Sequence, residues 1–125
     1  MKQYNAKNIL NIALAGHGGA GKTSIIESML YLSGASDRLG KIADGNTICD
    51  FDPEEVKRKA SVSTAVAPVE WKNKKLNFID TPGLFDFEGG LWEGVRAADT
   101  VMIAVSGKNG VSVGTEKAVK AAESR

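Results

Sequence analysis

The sequence has few of the features that mark secreted, zinc-binding or membrane proteins. It contains one cysteine, Cys49, and one histidine, so it can form neither an internal disulfide nor a cysteine–histidine zinc site. A lone thiol is typical of a reducing compartment. No apolar run approaches the roughly 20 residues that span a bilayer. The run over residues 9–15 leads into glycines and a lysine instead of a signal-peptide cleavage site. We therefore expect a cytoplasmic protein with no membrane partner.

The chain also lacks a large net charge and any sign of a second domain. Its 16 basic and 15 acidic residues give a formal net charge of +1. This balance offers no electrostatic reason to expect DNA or other nucleic acid as a partner of this segment alone. A length of 125 residues suits one domain, and no internal repeat or serine- and proline-rich linker divides it. We expect a monomer.

Glycine is what the sequence has in excess. Its 14 glycines make up about 11% of the chain, against an average near 7%, and they lie at the breaks between apolar runs. The apolar patterns predict strands that alternate with helices, and hence an α/β fold. The predicted elements are a strand over residues 9–15 that is buried on both faces, a helix over 22–32, a hairpin with strands over 62–71 and 76–79 and a polar turn over 72–75, a helix over 91–98, a strand over 101–105 and a helix over 115–124. Residues 35–59 show no sustained period and are predicted to be a long irregular loop.

The clearest motif is GxxxxGK[ST] over residues 16–23, directly after a predicted strand and before a predicted helix. We call residues 16–21 the glycine loop. Its glycines allow successive backbone N–H groups to turn toward phosphate oxygens, and the helix that follows presents its positive end to the same anion. Lys22 then reaches the β- and γ-phosphates, and the Thr23 hydroxyl binds Mg²⁺. The predicted nucleotide-binding residues here are Gly16, His17, Gly18, Gly19, Ala20, Gly21, Lys22, Thr23 and Ser24.

A second motif, DxxG, covers Asp80, Thr81, Pro82 and Gly83 at the end of an apolar strand. Alone it is consistent with an ordinary turn. A glycine loop, however, needs a carboxylate on a neighbouring strand to hold its magnesium, directly or through water. We therefore predict that these four residues lie at the nucleotide, with Asp80 as a metal ligand and the Gly83 N–H donating to the γ-phosphate.

These residues together resemble the N-terminal part of the GTP-binding domain of elongation factor G. The resemblance rests on ALA before the glycine loop, GKIADGNT over residues 40–47, DTPG followed by Phe85, Asp86 and Phe87, and residues 110–116 before the last helix. It implies a P-loop NTPase three-layer fold, with a mostly parallel sheet and one antiparallel hairpin. It also implies a translational GTPase that binds GTP or GDP with Mg²⁺ and acts on the ribosome. In that family residues 35–59 correspond to switch I and residues 80–90 to switch II.

The resemblance covers only part of the family's first domain. The family reads guanine through an NKxD motif that lies beyond the last helix, and the last predicted strand is expected at an uncovered edge of the sheet. We therefore expect residues 1–125 to be a truncated GTP-binding domain from a longer multidomain protein. Alone, this piece is expected to bind guanine nucleotide poorly.

Several positions depart from the family pattern. Leu84 follows DTPG where the family has a histidine that positions the attacking water, and leucine has no hydrogen-bonding group. Gly18 and Gly19 replace an apolar residue and an aspartate. Ser61 replaces the magnesium-binding threonine but keeps its hydroxyl. By resemblance, the catalytic positions are Lys22, Gly83 and Leu84, and the metal ligands are Thr23, Ser61 and Asp80.

Three features allow two interpretations each. Ser61 is either a magnesium ligand that closes the loop when a γ-phosphate is present or a surface serine at the start of a strand. His17 is either a substitute base or a loop residue that packs beside the phosphates. The basic run over residues 57–59 either contacts ribosomal RNA or is a solvated face.

Three functions remain open at this point. The first is a ribosome-stimulated GTPase, and the second is a guanine-nucleotide switch on the ribosome that hydrolyses GTP slowly or not at all because of Leu84. The third is an adenine-nucleotide ATPase or kinase, because a phosphate loop does not read the base. The family resemblance favours guanine over adenine.

Overall fold

Four strands form one sheet with helices on both faces in the computed structural model, which describes residues 2–84 and 87–124. The main elements are β1 (Ile9–Gly16), α1 (Lys22–Leu32), α2 (Pro53–Arg58), β2 (Ala65–Trp71), β3 (Lys74–Asp80), α3 (Glu88–Ala97), β4 (Thr100–Ala104) and α4 (Val113–Glu123), with 3₁₀ turns at Ala6–Asn8 and Ile42–Asp44. Phe85 and Asp86, which belong to the predicted family motif, lie outside the described residues. No helix in the described ranges is long and apolar enough to cross a membrane.

Strand β1 lies inside the sheet, whose order is β2-β3-β1-β4. It pairs in parallel with both β3 and β4, whereas β2 and β3 form the antiparallel hairpin. The predicted α/β fold, mostly parallel with one antiparallel pair, is confirmed. Because β1 and β3 run in the same direction, their carboxyl ends at Gly16 and Asp80 lie at the same edge of the sheet.

The core has two layers because alternate β1 side chains point to opposite faces. Leu14 packs with Ile26 and Leu30 of α1 and with side chains of the hairpin. On the other face, Ala15 packs with α3 and α4. Both β1 residues are fully buried. The prediction of a strand buried on both faces is thus confirmed.

Residues 33–64, which we call the long connection, join α1 to β2 and include residues 35–59, which were predicted to be an irregular loop. The structure differs from that prediction. The long connection contains helix α2, which starts with Asp52 as its N-cap, Pro53 in the first turn and Glu55 completing a capping box. These start signals are present in the sequence. The helix was missed because six residues are too few to show an apolar period.

Other boundaries move by a few residues. The hairpin turn is Lys72 and Asn73 alone, both at positive φ, so β3 starts at Lys74 inside the predicted polar turn. This geometry matches a two-residue turn in which both central residues adopt the left-handed conformation. Strand β2 starts at Ala65, later than expected. Helices α3 and α4 start earlier than their apolar residues indicate, α4 because Ser112 and Thr115 form a capping box.

Candidate functional site

A small cavity lies where the carboxyl ends of β1 and β3 meet the long connection. Its volume is about 70 Å³. It is lined by Gly18, Gly19, Gly21, Lys22, Thr23, Ile42, Asp50, Lys59, Ala60, Ser61, Gly83 and Leu84. The structure therefore brings together residues from three sequence regions: the glycine loop with the start of α1, the long connection, and the segment after β3.

The glycine loop depends on backbone conformations that only glycine adopts easily. Gly19 has φ 81° and Gly21 has φ 95°, in the left-handed region that costs other residues about 1 kcal/mol or more. The Ala20 N–H donates to the His17 carbonyl at 3.1 Å and closes the turn. Gly21 is the N-cap of α1. The loop thereby directs the N-terminal end of α1, with its unpaired N–H groups, toward the cavity.

Lys22 is buried in the first turn of α1, only 6% exposed. Its ammonium group donates to the carbonyls of Gly16 at 3.2 Å and His17 at 3.0 Å. Burial lowers the pKa of Lys22, and the nearby Asp80 and Asp50 carboxylates oppose that change. The lysine is thus an N–H donor held against the glycine loop, in a buried site where interactions with an anion are stronger than in water.

Gly83 lies directly against the glycine loop and Lys22. A Cβ at this position would lie 2.5 Å from Lys22 Nζ and 2.7 Å from the Gly18 nitrogen. No side chain fits there without displacing the loop. The close approach explains in physical terms why the DxxG motif ends in glycine.

Two hydroxyls and two carboxylates form a buried chain beside Lys22. The Thr23 hydroxyl donates to Asp80 Oδ2 at 2.6 Å, and the Ser61 hydroxyl donates to Asp50 Oδ1 at 2.6 Å. The two hydroxyl oxygens lie 3.1 Å apart. Because each hydroxyl has one proton and uses it toward a carboxylate, their lone pairs face each other. A cation beside them would satisfy both.

The buried carboxylates reinforce that fit. Asp80 is 1% exposed and Asp50 is 5% exposed. Asp80 Oδ1 and Asp50 Oδ2 have no hydrogen-bond partner among the described residues. Burial raises the pKa of Asp80 to about 6, opposed chiefly by the hydrogen bond from Thr23, and burial also raises the pKa of Asp50. Buried carboxylates without full partners favour a cation.

The donor set suits magnesium better than a transition metal. No group of three or more histidine, cysteine, aspartate or glutamate side chains that could hold a metal occurs in the part of the chain that the structure describes. The hydroxyls of Thr23 and Ser61 and the carboxylate of Asp80 are oxygen donors, which Mg²⁺ combines with water and substrate phosphates. The predicted ligands Thr23, Ser61 and Asp80 are thus within contact of one another.

Other predicted site residues lie outside the cavity lining. The Thr81 hydroxyl donates to the Leu14 carbonyl at 2.6 Å, so it joins β3 to β1. Pro82 packs near Gly90 of α3. Ser24 is exposed on α1. Gly16 and Ala20 shape the turn of the glycine loop.

The ring of His17 is directed toward α4. Its Nδ1 accepts a hydrogen bond from the Gly114 N–H at 3.2 Å. In the neutral ring this leaves the other nitrogen as the donor, with no lone pair for a general base. The geometry favours the interpretation of His17 as a packing residue over that of a substitute base.

Sequence reasoning missed four residues that line the cavity: Ile42, Asp50, Lys59 and Ala60. All four belong to the long connection. Asp50 is one of several acidic residues there, and no local pattern distinguishes it from the exposed ones. Its role depends on how the connection folds back over α1.

Gly18 and Leu84, which both depart from the family pattern, lie in contact with each other. A Cβ at Gly18 would lie 3.1 Å from Leu84 Cδ2, so the leucine side chain covers the space beside this glycine. Leu84 is 38% exposed. The apolar side chain thus lies at the outer wall of the cavity.

Residues 7–125 match the elongation factor Tu GTP binding domain family. The chain belongs to this family. An elongation factor G-like protein of Mycobacterium tuberculosis is 39% identical over 108 residues, which are 86% of this chain and 15% of that protein. The mitochondrial ribosome-releasing factor 2 of Scheffersomyces stipitis is 39% identical over 114 residues, which are 91% of this chain and 14% of that protein.

A solved structure agrees with this membership of the GTP-binding domain family. A crystal structure of a protein from Thermus thermophilus has a TM-score of 0.91 and 40% identity, and the match covers 93% of this chain and 18% of that one. The predicted resemblance to elongation factor G and the predicted P-loop fold are confirmed. The chain spans 14–15% of the length of the two relatives named above.

Proposed function

We propose that this chain is the phosphate-binding part of a cytoplasmic translational GTPase that hydrolyses GTP to GDP and phosphate on the ribosome during protein synthesis. The observation that carries the proposal is the meeting of Thr23, Ser61 and Asp80, with contacts of 2.6 and 3.1 Å, beside Lys22 and the glycine loop. Membership of the elongation factor Tu GTP-binding domain family supports guanine over adenine. The names of the relatives, an elongation factor G-like protein and a ribosome-releasing factor, support the ribosome as partner.

The phosphates are bound by backbone and lysine together. The N–H groups of the glycine loop and the first turn of α1 face the anion. Lys22 exchanges its two carbonyl acceptors for phosphate oxygens, which are stronger acceptors because they are charged. The Gly83 N–H, held close to Lys22 and Gly18, donates to the γ-phosphate.

Thr23, Ser61 and Asp80 are the residues that would hold Mg²⁺. When bound, the ion neutralises charge on the phosphates. Asp50 holds the Ser61 hydroxyl by its 2.6 Å hydrogen bond. Ser61 belongs to the long connection and Thr23 to α1, so their meeting closes the connection over the phosphate site.

A specific observation favours a second function, a GTP-dependent ribosome-binding switch with slow or no hydrolysis. Leu84 stands where the family has a water-positioning histidine, and its side chain lies over Gly18. A leucine side chain cannot orient an attacking water by hydrogen bonding. Nucleotide binding would then close the long connection without rapid turnover.

Single-turnover GTP hydrolysis by the complete protein, with and without ribosomes, tests the proposal. Strong stimulation by ribosomes supports the GTPase, and tight GTP binding without stimulated hydrolysis supports the switch. Leu84→His is expected to raise the rate about tenfold or more if the missing side chain limits it, whereas Leu84→Met serves as the apolar control. No binding of GTP, or equal binding of ATP, would overturn both functions.

A further inference from the structure

A buried carboxylate outside the cavity connects α1 to the long connection. Glu27 lies in the second turn of α1 and is 2% exposed. Its Oε1 accepts a hydrogen bond from the Gly40 N–H at 3.0 Å, and its Oε2 accepts one from the Ile48 N–H at 3.0 Å. One side chain therefore holds two backbone positions that are eight residues apart in sequence.

The contact is closely fitted from both sides. A Cβ at Gly40 would lie 2.6 Å from Glu27 Oε1 and 2.6 Å from the Asn46 carbonyl oxygen. Only glycine allows the chain to approach the carboxylate this closely. Cys49, next to Ile48, is 3% exposed and packs in the same cluster as Leu14 and Ile26, so the segment at Ile48 is fixed by apolar contacts as well.

Glu27 completes a closed ring of contacts with the phosphate site. Thr23 lies four residues before Glu27 on α1, and residues at this spacing share one face of a helix. From Thr23 the ring passes to Ser61 at 3.1 Å and from Ser61 to Asp50 at 2.6 Å. Asp50 follows Ile48 by two residues, and the Ile48 N–H returns to Glu27.

We propose that Glu27 is a positioning residue that holds residues 40–50 so that Asp50 and Ser61 meet Thr23 at the phosphate site. The inference deepens the proposed function and rests on it. Glu27 acts through Asp50 and Ser61, whereas Lys22 and the glycine loop are built independently of it. Its loss therefore weakens the magnesium-dependent part of nucleotide binding and leaves the phosphate loop intact.

Glu27→Gln in the complete protein tests this separation, because the amide presents N–H donors where the backbone needs an acceptor. Glu93→Gln makes the same chemical change at an exposed position of α3 and is the matched control. We expect the Mg²⁺ concentration for half-maximal binding of a fluorescent GTP analogue to rise about tenfold in Glu27→Gln. Binding in excess EDTA should be unchanged, as should all binding by Glu93→Gln.

Amide hydrogen exchange without nucleotide gives a second readout. Exchange at Gly40 and Ile48 should accelerate in Glu27→Gln while exchange within β1 does not. Equal weakening with and without Mg²⁺, together with faster exchange throughout the chain, would show a merely structural role and overturn the inference. An unchanged Mg²⁺ midpoint with an unchanged exchange pattern would also overturn it.

Gly40→Ala keeps the test decisive if Glu27→Gln does not fold. The added methyl group displaces the same contact from the side of the long connection, so it should raise the same Mg²⁺ midpoint. A normal midpoint in this variant would overturn the inference. Absence of GTP binding by the unsubstituted protein would instead overturn the proposed function, which separates the two failures.

Discussion

The two loops that meet at the cavity are held in place by different means. The glycine loop is fixed by its own backbone, with Gly19 and Gly21 at φ 81° and 95°. The long connection is fixed by carboxylates: Glu27 binds the N–H groups of Gly40 and Ile48, and Glu55 binds three others. A loop of the first kind is specified by local sequence, whereas a loop of the second kind depends on buried carboxylates: Glu27 reaches it from α1, and Glu55 holds it from within.

The largest expected effect on GTP binding comes from removing the Lys22 ammonium group, which donates to two carbonyls of the glycine loop. Lys22→Ala is expected to weaken GTP binding by at least about 100-fold, because a buried charged donor to phosphate is lost. Titration with a fluorescent GTP analogue measures the change, and Lys57→Ala on α2 is the control. A loss below tenfold would mean that loop backbone alone holds the phosphates.

The Asp80 carboxylate, which accepts a hydrogen bond from Thr23 at the end of β3, should make stability depend on pH. Asp80 has a folded pKa raised to about 6 from 3.8, so between these values the folded state binds a proton that the unfolded state has lost. Stability without nucleotide or Mg²⁺ should therefore fall as pH rises from about 4 to about 6, by roughly 2 kcal/mol, and then level off.

Urea unfolding at a series of pH values checks this dependence. Asp80→Asn should make the curve shallower between those two pH values, with Asp50, whose pKa is also raised by burial, supplying the remaining slope. Asp37→Asn, at an exposed position in the long connection, should retain the full slope. A stability that rises across this range in the unsubstituted protein would contradict the assignment of the raised pKa to Asp80.

Two adjacent glutamates test how the long connection is held. Glu55 is 2% exposed and accepts hydrogen bonds from the backbone of Asp52, Val62 and Ser63. Glu55→Gln should lower the free energy of unfolding by about 1.5 kcal/mol. Glu54→Gln, which disturbs only an exposed pair with Arg58, should change it by about 0.5 kcal/mol or less. Equal effects in urea unfolding would show that the connection does not depend on its buried carboxylate.

The smallest effect on stability is expected at Lys59 of the long connection, whose backbone has a positive φ like Gly19 and Gly21 of the glycine loop. Lys59 has φ 54°, in the left-handed region. Lys59→Gly should relieve that conformation and raise the free energy of unfolding by about 0.5 kcal/mol. Lys57→Gly, inside α2, should lower it by up to about 1 kcal/mol. Thermal unfolding of the two variants should therefore show changes of opposite sign.

The same contrast explains what could be predicted from the sequence. Two sequence motifs contain the glycine loop, Thr23 and Asp80. Because these motifs lie at the carboxyl ends of neighbouring parallel strands, the meeting of their residues was predictable. The roles of Asp50 and Glu27 were not predictable. Asp50 is one of several acidic residues in the long connection, and a glutamate in the middle of a helix, such as Glu27, ordinarily indicates a solvent-exposed position. Glu27 is buried only because residues 40–48 fold over α1, and no local pattern encodes that contact.

The hairpin turn was predicted too long and helix α2 was missed for a related reason. The two-residue turn at Lys72 and Asn73 lacks the glycine that usually marks such a turn, so a longer polar turn was predicted. Helix α2 is defined by its cap at Asp52 and not by apolar spacing. Neither the left-handed conformation of the two turn residues nor the capping hydrogen bonds of α2 can be detected from the spacing of apolar residues.

Two hydrogen bonds from Thr81 to Leu14 hold the chain at the point where it leaves the sheet. Both the N–H and the hydroxyl of Thr81 donate to the Leu14 carbonyl, at 3.2 and 2.6 Å, and the residue is fully buried. The residue directly after β3 is thereby held to β1. We therefore expect the backbone at Pro82 and Gly83 to shift more easily than the sheet, which the Thr81 contact holds in place.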